Sequence, residues 1–139
     1  MILIDTSGLL SALFSDQRHH EACAEALREA EPPLVLSPFV LAEIDYLITK
    51  YAGVDAELEF LADVAAGAYE IASFGNEDVA AATQVIDRYR DLNVGLADAS
   101  IVVLAERHGT SDVLTLDECH FRSLRTGSGR TFRLLPADG

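Results

Sequence analysis

Short apolar runs alternate with helical patterns along the whole chain, and this alternation constrains the fold more than any other feature of the sequence. Each run has about the length of a buried strand, while the segments between the runs carry apolar residues at the three- and four-residue spacing of a helix face. Sequences of this kind fold as α/β proteins with a mostly parallel sheet. The predicted strands cover residues 2–4, 34–36, 69–72, 113–116 and 131–135.

Capping residues set the predicted bounds of the helices between these strands. Ser37 followed by Pro38 is a strong start signal, because serine caps the helix and proline occupies its first position. Gly53 fits just beyond the end of the same helix. The first predicted helix is capped by Thr6 and Ser7 and extends to about 14, and the second is capped by Asp16 and extends to about 30. The others cover about 38–51, the residues after a cap at Asp55 to about 66, about fifteen residues after Asn76 to about 91, and about 96–108.

Length and composition predict one domain over residues 1–139. Half of the 139 residues are hydrophobic, which is enough for a substantial core. The four apolar residues at the N-terminus are too few for a signal peptide, and no run approaches the ~18 apolar residues of a membrane span. We therefore expect a cytoplasmic protein without membrane contacts. Cys23 and Cys119 are expected to be buried thiols rather than a disulfide.

Two carboxylates come directly after predicted strands. Asp5 follows residues 2–4, and Asp117 follows residues 113–116. Because ligands of open parallel sheets bind beyond the carboxyl ends of the strands, we expect both side chains at one edge of the sheet. Asp5 could instead cap the first helix, and Asp117 could open a turn.

Two further carboxylates fall on predicted buried faces of helices. Glu43 lies between Val40 and Leu47, and Asp98 shares a face with Ile101. Glu43 could also lie at the edge of its helix and reach water. Asp98, in a first turn, could simply interact with the helix dipole. As a set of four, however, these acids predict one shared site.

Four carboxylates gathered in one place require a counter-charge. Each close pair would repel by roughly 3 kcal/mol at an effective dielectric constant near 20. A hard divalent metal ion, which prefers oxygen ligands, is the simplest candidate. Thr6, Ser7 and Thr115 stand beside the predicted ligands and could orient them or bind metal-bound water, although they could equally be caps and strand residues.

Charge is distributed unevenly along the chain, whose net charge is −13. Residues 1–87 hold 16 acidic side chains and three basic ones, whereas residues 88–139 hold seven of each. A polyanion would therefore meet the C-terminal part, where Arg122 and Arg125 are the predicted phosphate contacts. The acidic part favours a basic protein partner, and both parts could also be ordinary solvated surface.

In order and spacing, these segments resemble the PIN-domain family, specifically the VapC-type toxins of bacterial toxin–antitoxin pairs. The resemblance covers nearly the whole length. It consists of Ile4-Asp5-Thr6-Ser7, Glu43 in the helix after the second strand, Leu96-Ala97-Asp98-Ala99, and Leu114-Thr115-Leu116-Asp117 with Phe121 four residues further on.

The resemblance implies a three-layer α/β/α fold with a small, mostly parallel sheet flanked by helices. It also implies an endoribonuclease dependent on Mg²⁺, with Mn²⁺ as a substitute, in which Asp5, Glu43, Asp98 and Asp117 bind the metal and catalyse hydrolysis of RNA phosphodiester bonds. The implied partners are RNA, a cognate antitoxin and a second copy of the chain. The acidic N-terminal half departs from what RNA binding favours and leaves the RNA footprint open.

Three other functions compete with this prediction. A receiver-like signalling module would need a lysine after a late strand, but Lys50, the single lysine, lies in a predicted helix. A small-molecule phosphatase would need an aspartate where Ser7 stands. A PIN-like domain that only binds a partner is the remaining alternative. The histidines form no catalytic arrangement that the sequence reveals; they are His19, His20, His108 and His120.

Overall fold

The computed structural model describes residues 1–139. In chain order the elements are β1 (Ile2–Ile4), α1 (Thr6–Leu13), α2 (His20–Glu29), β2 (Leu34–Leu36), α3 (Pro38–Ala52), α4 (Val54–Ala65), β3 (Glu70–Ile71), α5 (Asn76–Arg88), a 3-10 turn (Arg90–Leu92), α6 (Leu96–His108), β4 (Asp112–Leu114), α7 (Glu118–Phe121) and β5 (Arg133–Leu135). The five strands form one sheet in the order β3-β2-β1-β4-β5, and every pairing is parallel. The predicted three-layer α/β/α fold is confirmed.

Strand β1 is the centre of the sheet and of the core. It pairs with β2 on one side and with β4 on the other, and all three of its side chains are buried. Burial on both faces is why a parallel strand reads as an unbroken apolar run rather than as an alternating one. The carboxyl ends of these three strands therefore share one edge, where Asp5, Ser37 and Thr115 follow directly.

Helix α1 packs unusually close to that edge at Gly8. A Cβ atom on Gly8 would lie 2.6 Å from the carbonyl oxygen of Leu114 at the end of β4. Only glycine allows the helix to approach the strand this closely. The contact keeps the first turn of α1, with Ser7, against the residues that leave β4.

Several element bounds differ from the predicted ones. Helix α2 begins at His20 rather than near Asp16, because the backbone between them makes tight turns, in which the amide of Gln17 donates to Phe14 and that of His20 donates to Gln17. Strand β4 is Asp112–Leu114 rather than 113–116, so Asp112 belongs to the strand, and Asp117 does not follow it directly but after Thr115 and Leu116. The sequence did not reveal α7.

The structure also bears on the predicted core, the cysteines and membrane spans. A cluster of 25 buried hydrophobic residues extends from Ile2 to Leu134, as a one-domain chain requires, although the domain count itself stays a prediction. Both cysteines are free; Cys23 is buried as predicted, whereas Cys119 is exposed, so that prediction was wrong for Cys119. No helix combines the length and the apolar character that a membrane crossing demands.

Candidate metal centre

A cavity of about 490 Å³ opens at the carboxyl edge of the sheet, and all four predicted acids line it. Its walls come from the start of α1, the middle of α3, the start of α6 and the segment between β4 and α7. The lining residues are Asp5, Thr6, Ser7, Leu10, Glu43, Leu47, Gly95, Leu96, Ala97, Asp98 and Asp117. Elements that are distant in sequence therefore bring these carboxylates to one opening.

Asp5 is the most deeply buried of the four acids, with 5% of its surface exposed. It stands at the N-cap position of α1, but its side chain does not cap the helix. Burial raises its pKa to about 6, and the nearby carboxylate of Asp98 adds to the rise, while hydrogen bonds from Thr115 and Ser7 oppose it. The side chain of Asp5 therefore does not act as a simple helix cap.

The hydroxyls of Thr115 and Ser7 hold Asp5 in place. Thr115 donates to Asp5 Oδ2 at 2.6 Å and Ser7 donates to the same oxygen at 3.0 Å. Both hydroxyls also accept from the backbone of the next segment, Ser7 from the amide of Leu116 and Thr115 from that of Asp117. Two of the three predicted orienting residues therefore tie Asp5 to the loop that carries Asp117, and leave Asp5 Oδ1 without a side-chain hydrogen bond.

Asp98 and Asp117 approach each other across His120. The ring nitrogen Nδ1 of His120 lies 3.0 Å from Asp98 Oδ2 and 3.1 Å from Asp117 Oδ2. One ligand atom from each residue lies within 4.8 Å of the other two. Asp117 is also the N-cap of α7, since its Oδ1 accepts from the amide of His120 at 3.1 Å.

The electrostatics of this trio follow from its burial and its charges. Burial raises the pKa of Asp98, as do the carboxylates of Asp117 and Glu43, while the hydrogen bond from His120 lowers it. Burial lowers the pKa of His120, but Asp98, Asp117 and the backbone of Leu92 outweigh it and raise that pKa above its ordinary value. The histidine thus partly neutralises an otherwise crowded acidic pocket.

The sequence revealed no arrangement that includes His120, but the structure places its ring against Asp98 and Asp117. The signal that could have found it is its position three residues after Asp117, which places its backbone amide on the capping carboxylate. None of the four histidines is among the residues that line the cavity; His120 alone contacts two of its acids, Asp98 and Asp117.

Glu43 reaches the cavity, but not from a buried face. The buried stripe of α3 is Val40, Ile44 and Ile48, and Glu43 stands beside it on the exposed surface of the helix. Glu43 and Asp98 line the same cavity, and the carboxylate of Glu43 adds to the rise in the pKa of Asp98. Glu43 and Asp5 both lie outside the compact group formed by Asp98, Asp117 and His120.

A buried pair of serines fixes how α3 and α6 sit relative to each other. Ser37 and Ser100 hydrogen bond through their hydroxyls at 2.7 Å, and Ser37 also caps α3 by accepting from the amide of Phe39. This contact sets the helix that carries Glu43 against the helix that carries Asp98. Sequence reasoning identified Ser37 as a cap but missed its partner.

The residues present suit a hard divalent cation. The donor set is rich in carboxylate oxygens, which Mg²⁺ and Mn²⁺ prefer. Thr6 is 6% exposed and lines the cavity, and its hydroxyl oxygen has no hydrogen-bond partner in the protein. A buried hydroxyl without a partner is costly unless something else binds it, and water held by a cation would do so.

The two arginines predicted to contact RNA lie outside the cavity and are engaged by the protein. Arg122 donates to Asp138 and Glu118, and Arg125 donates to the backbone carbonyls of Arg122 and Leu124. The Asp138 and Glu118 carboxylates raise the pKa of Arg122. Their role toward RNA stays a prediction.

The sheet order, the flanking helices and the acidic cavity at the carboxyl edge define a class of protein. The model of the family described as "PIN domain" matches residues 2–125, and the chain belongs to that family. Within it, the chain falls among the VapC proteins: it is 42% identical over 135 residues to ribonuclease VapC26 of Mycobacterium tuberculosis, a match that covers 97% of this chain and 100% of the relative.

Solved structures show the same fold at lower identity. A crystal structure of Mycobacterium tuberculosis VapC20, described as a sarcin-ricin loop cleaving toxin, superposes with a TM-score of 0.78 at 17% identity, over 84% of this chain and 90% of the other. A toxin–antitoxin complex from Klebsiella pneumoniae gives 0.68 at 22% identity, over 89% and 92%. Both likenesses concern the fold.

Proposed function

We propose that this protein is a metal-dependent endoribonuclease and the toxin of a toxin–antitoxin pair. The observation that carries the proposal is that Asp5, Glu43, Asp98 and Asp117, from four separate segments, line one cavity. The relationship to a VapC ribonuclease supports RNA as the substrate class. No cysteine or lysine lines the cavity, and its one serine, Ser7, donates its hydroxyl to Asp5, so the carboxylate cavity suits hydrolysis assisted by a cation.

In this proposal the four acids hold the cation, and the surrounding hydroxyls fix their geometry. A bound Mg²⁺ or Mn²⁺ would supply Lewis-acid activation of water and neutralise charge on the scissile phosphate. Thr115 and Ser7 fix Asp5 through Oδ2, which leaves Oδ1 without a side-chain hydrogen bond and available to the cation. Asp98 is presented by the first turn of α6, and Asp117 by the N-cap of α7.

Cleavage of total RNA by the purified protein tests this proposal. Wild type should cut RNA with added Mg²⁺ or Mn²⁺ and stop with EDTA, whereas Asp5→Asn and Asp98→Asn should each lose activity about a hundredfold or more, because each removes a charged group from the site. Asp55→Asn, which changes an exposed acid on α4, is the matched control and should cut normally.

Folding of each variant is checked by circular dichroism and thermal denaturation, so that lost activity is not confused with lost structure. Cleavage that continues in EDTA, or that both site variants retain at the wild-type rate, would contradict the proposal. Sequencing the ends of the fragments would identify the RNA and the bond that is cut.

The protein partners we propose are a cognate antitoxin and a second copy of this chain, as the VapC resemblance implies. Exposed apolar side chains on α3 and α4 support a protein-binding surface there, among them Tyr46, Val54 and Leu58, each more than half exposed. The acidic N-terminal part would favour a basic antitoxin segment. Light scattering after size-exclusion chromatography tests the homodimer, and co-purification with the adjacent gene product tests the antitoxin.

A further inference from the structure

His120 stands where a ligand of the cation would stand. Its Nδ1 is in contact with Asp98 Oδ2 and Asp117 Oδ2 at once, at 3.0 and 3.1 Å. A histidine that served only to neutralise one acid would need only one of these contacts. Instead the three atoms form a compact group that no other set of histidine, cysteine or acidic residues in the structure matches.

The spacing of these atoms agrees with that of neighbouring ligands around one ion. Ligands about 2.1 Å from a six-coordinate ion lie about 3 Å apart when they occupy adjacent positions. The two contacts from Nδ1 have that length, so the ring nitrogen and both oxygens could bind one ion with small adjustments of side-chain torsions. Hydrogen bonds from Nδ1 have the same length and hold these atoms in the metal-free protein.

The surroundings of the ring direct Nδ1 into the site. Asp117 caps the short helix that carries His120, and Phe121, the next residue, is fully buried and packs edge-on against Phe132. The backbone of Leu92 contributes to the raised pKa of His120, which is the effect of a carbonyl near the ring. A carbonyl that holds the proton of one ring nitrogen leaves the other nitrogen available to a metal.

We propose that His120 Nδ1 binds the divalent cation directly, together with Asp98 and Asp117, and that this nitrogen ligand makes the site prefer Mn²⁺ to Mg²⁺. This inference rests on the proposed function, because it concerns the same metal site. Any proton on Nδ1 is released to solvent when the cation binds.

The preference follows from the chemistry of the two ions. Mg²⁺ binds oxygen ligands almost alone and keeps several of its waters, whereas imidazole nitrogen suits the transition metals, and Mn²⁺ accepts both kinds of donor. A neutral imidazole also occupies a ligand position without adding a fifth negative charge to the pocket. Four carboxylates alone would bind the two ions with less difference between them.

Electron spin-echo spectroscopy of Mn²⁺ bound to the wild-type protein is the direct test, because it detects nitrogen in contact with the ion without any mutation. We expect hyperfine coupling to a histidine nitrogen, and its pattern should change when the protein is prepared with isotopically labelled histidine. His120→Ala should abolish the coupling. His19→Ala, which removes an exposed histidine outside the site, should leave it intact.

Calorimetric titration of the same proteins gives the selectivity. His120→Ala should lower the affinity for Mn²⁺ about tenfold or more, while the affinity for Mg²⁺ changes by less than about threefold. His120→Asn keeps a polar side chain of similar size and serves if the alanine variant folds poorly. His19→Ala should match wild type for both ions.

The outcomes separate this inference from the proposed function. Bound Mn²⁺ without nitrogen coupling, or equal losses for both ions in His120→Ala, would overturn the role of His120 while metal-dependent RNA cleavage persisted. Failure of wild type both to bind Mn²⁺ and to cut RNA would overturn the two proposals together.

Discussion

Replacing Asp5 by asparagine should stabilise the metal-free protein at neutral pH. Asp5 is almost completely buried, and burial, reinforced by Asp98, raises its pKa from 3.8 to about 6. At about 1.36 kcal/mol per pKa unit, ionisation of this carboxyl costs the folded protein about 3 kcal/mol. Asparagine carries no charge, and its carbonyl oxygen can still accept from Thr115 and Ser7.

The effect depends on pH in a defined direction. Below about pH 3 the carboxyl is protonated in the folded and the unfolded protein, so Asp5 imposes no charge penalty there. Between about pH 3 and pH 6 the unfolded chain ionises first, and the wild-type protein loses stability as the pH rises. Above about pH 6.5 the full penalty of about 3 kcal/mol applies. The advantage of Asp5→Asn should therefore grow from near zero to this value.

Thermal denaturation in EDTA measures this difference. For a chain of this length 3 kcal/mol corresponds to about 10 °C in Tm, so Asp5→Asn should melt about 10 °C above wild type near pH 8 and close to wild type near pH 4. Groups that do not interact with Asp5 titrate alike in both proteins, so the difference between the two proteins cancels them. Asp55→Asn, at an exposed position, should follow wild type throughout.

Saturating Mn²⁺ should reverse the order, because a ligand that binds only the folded protein stabilises it by mass action and Asp5→Asn lacks one carboxylate of the proposed binding site. The reasoning would be refuted if wild type in EDTA melted as high as Asp5→Asn near pH 8. It would also be refuted if the gap between the two proteins were the same at both pH values.

Two further substitutions test the contacts that build the site. Gly8→Ala should lower the free energy of unfolding by about 1–3 kcal/mol and weaken Mn²⁺ binding, because the new Cβ would lie 2.6 Å from the carbonyl oxygen of Leu114. Gly75→Ala, at a position with open space around it, is the control. Equal melting temperatures of the two variants would contradict the close approach of α1 to β4. Thr115→Val should also cost about 1–3 kcal/mol, because Asp5 loses its 2.6 Å hydrogen bond, and Thr115→Ser should recover most of the loss. Calorimetry that finds valine and serine equivalent would dismiss the role of this hydroxyl.

The elements that the sequence predicted best carry complete local signals. Strands β1 and β2 are continuous apolar runs, and α6 ends before Gly109, which adopts a left-handed conformation that favours glycine. Where the signal was partial the bounds shifted, as in α2, whose predicted cap at Asp16 leads into turns instead. Local sequence can specify a cap or a core face, but the competition between a helix and two tight turns is decided by packing.

The two strand-end acids were predictable because topology alone brings them together. Parallel strands end at one edge, so an acid that follows a strand is delivered there whatever the rest of the chain does. Glu43 was placed correctly for a wrong reason: it was assigned to the buried stripe of α3, but that stripe is Val40, Ile44 and Ile48. A residue beside the buried stripe lies at the boundary between core and surface, where an ionised side chain can reach both the cavity and water.

His120 shows why the remaining part of the site could not be read from the sequence. Its contact with Asp98 joins residues 22 positions apart on two different helices, and no periodicity encodes such a pair. Only its relation to Asp117 is local. Asp117 caps α7 and accepts a hydrogen bond from the amide of His120, three residues later. This bond keeps His120 close to the carboxylate of Asp117. An acid between a strand and a helical turn therefore brings two potential metal ligands to the edge of the sheet: its own carboxylate and the side chain three residues later. In this chain the third residue is a histidine, and it converts a site of oxygens alone into one with a nitrogen donor.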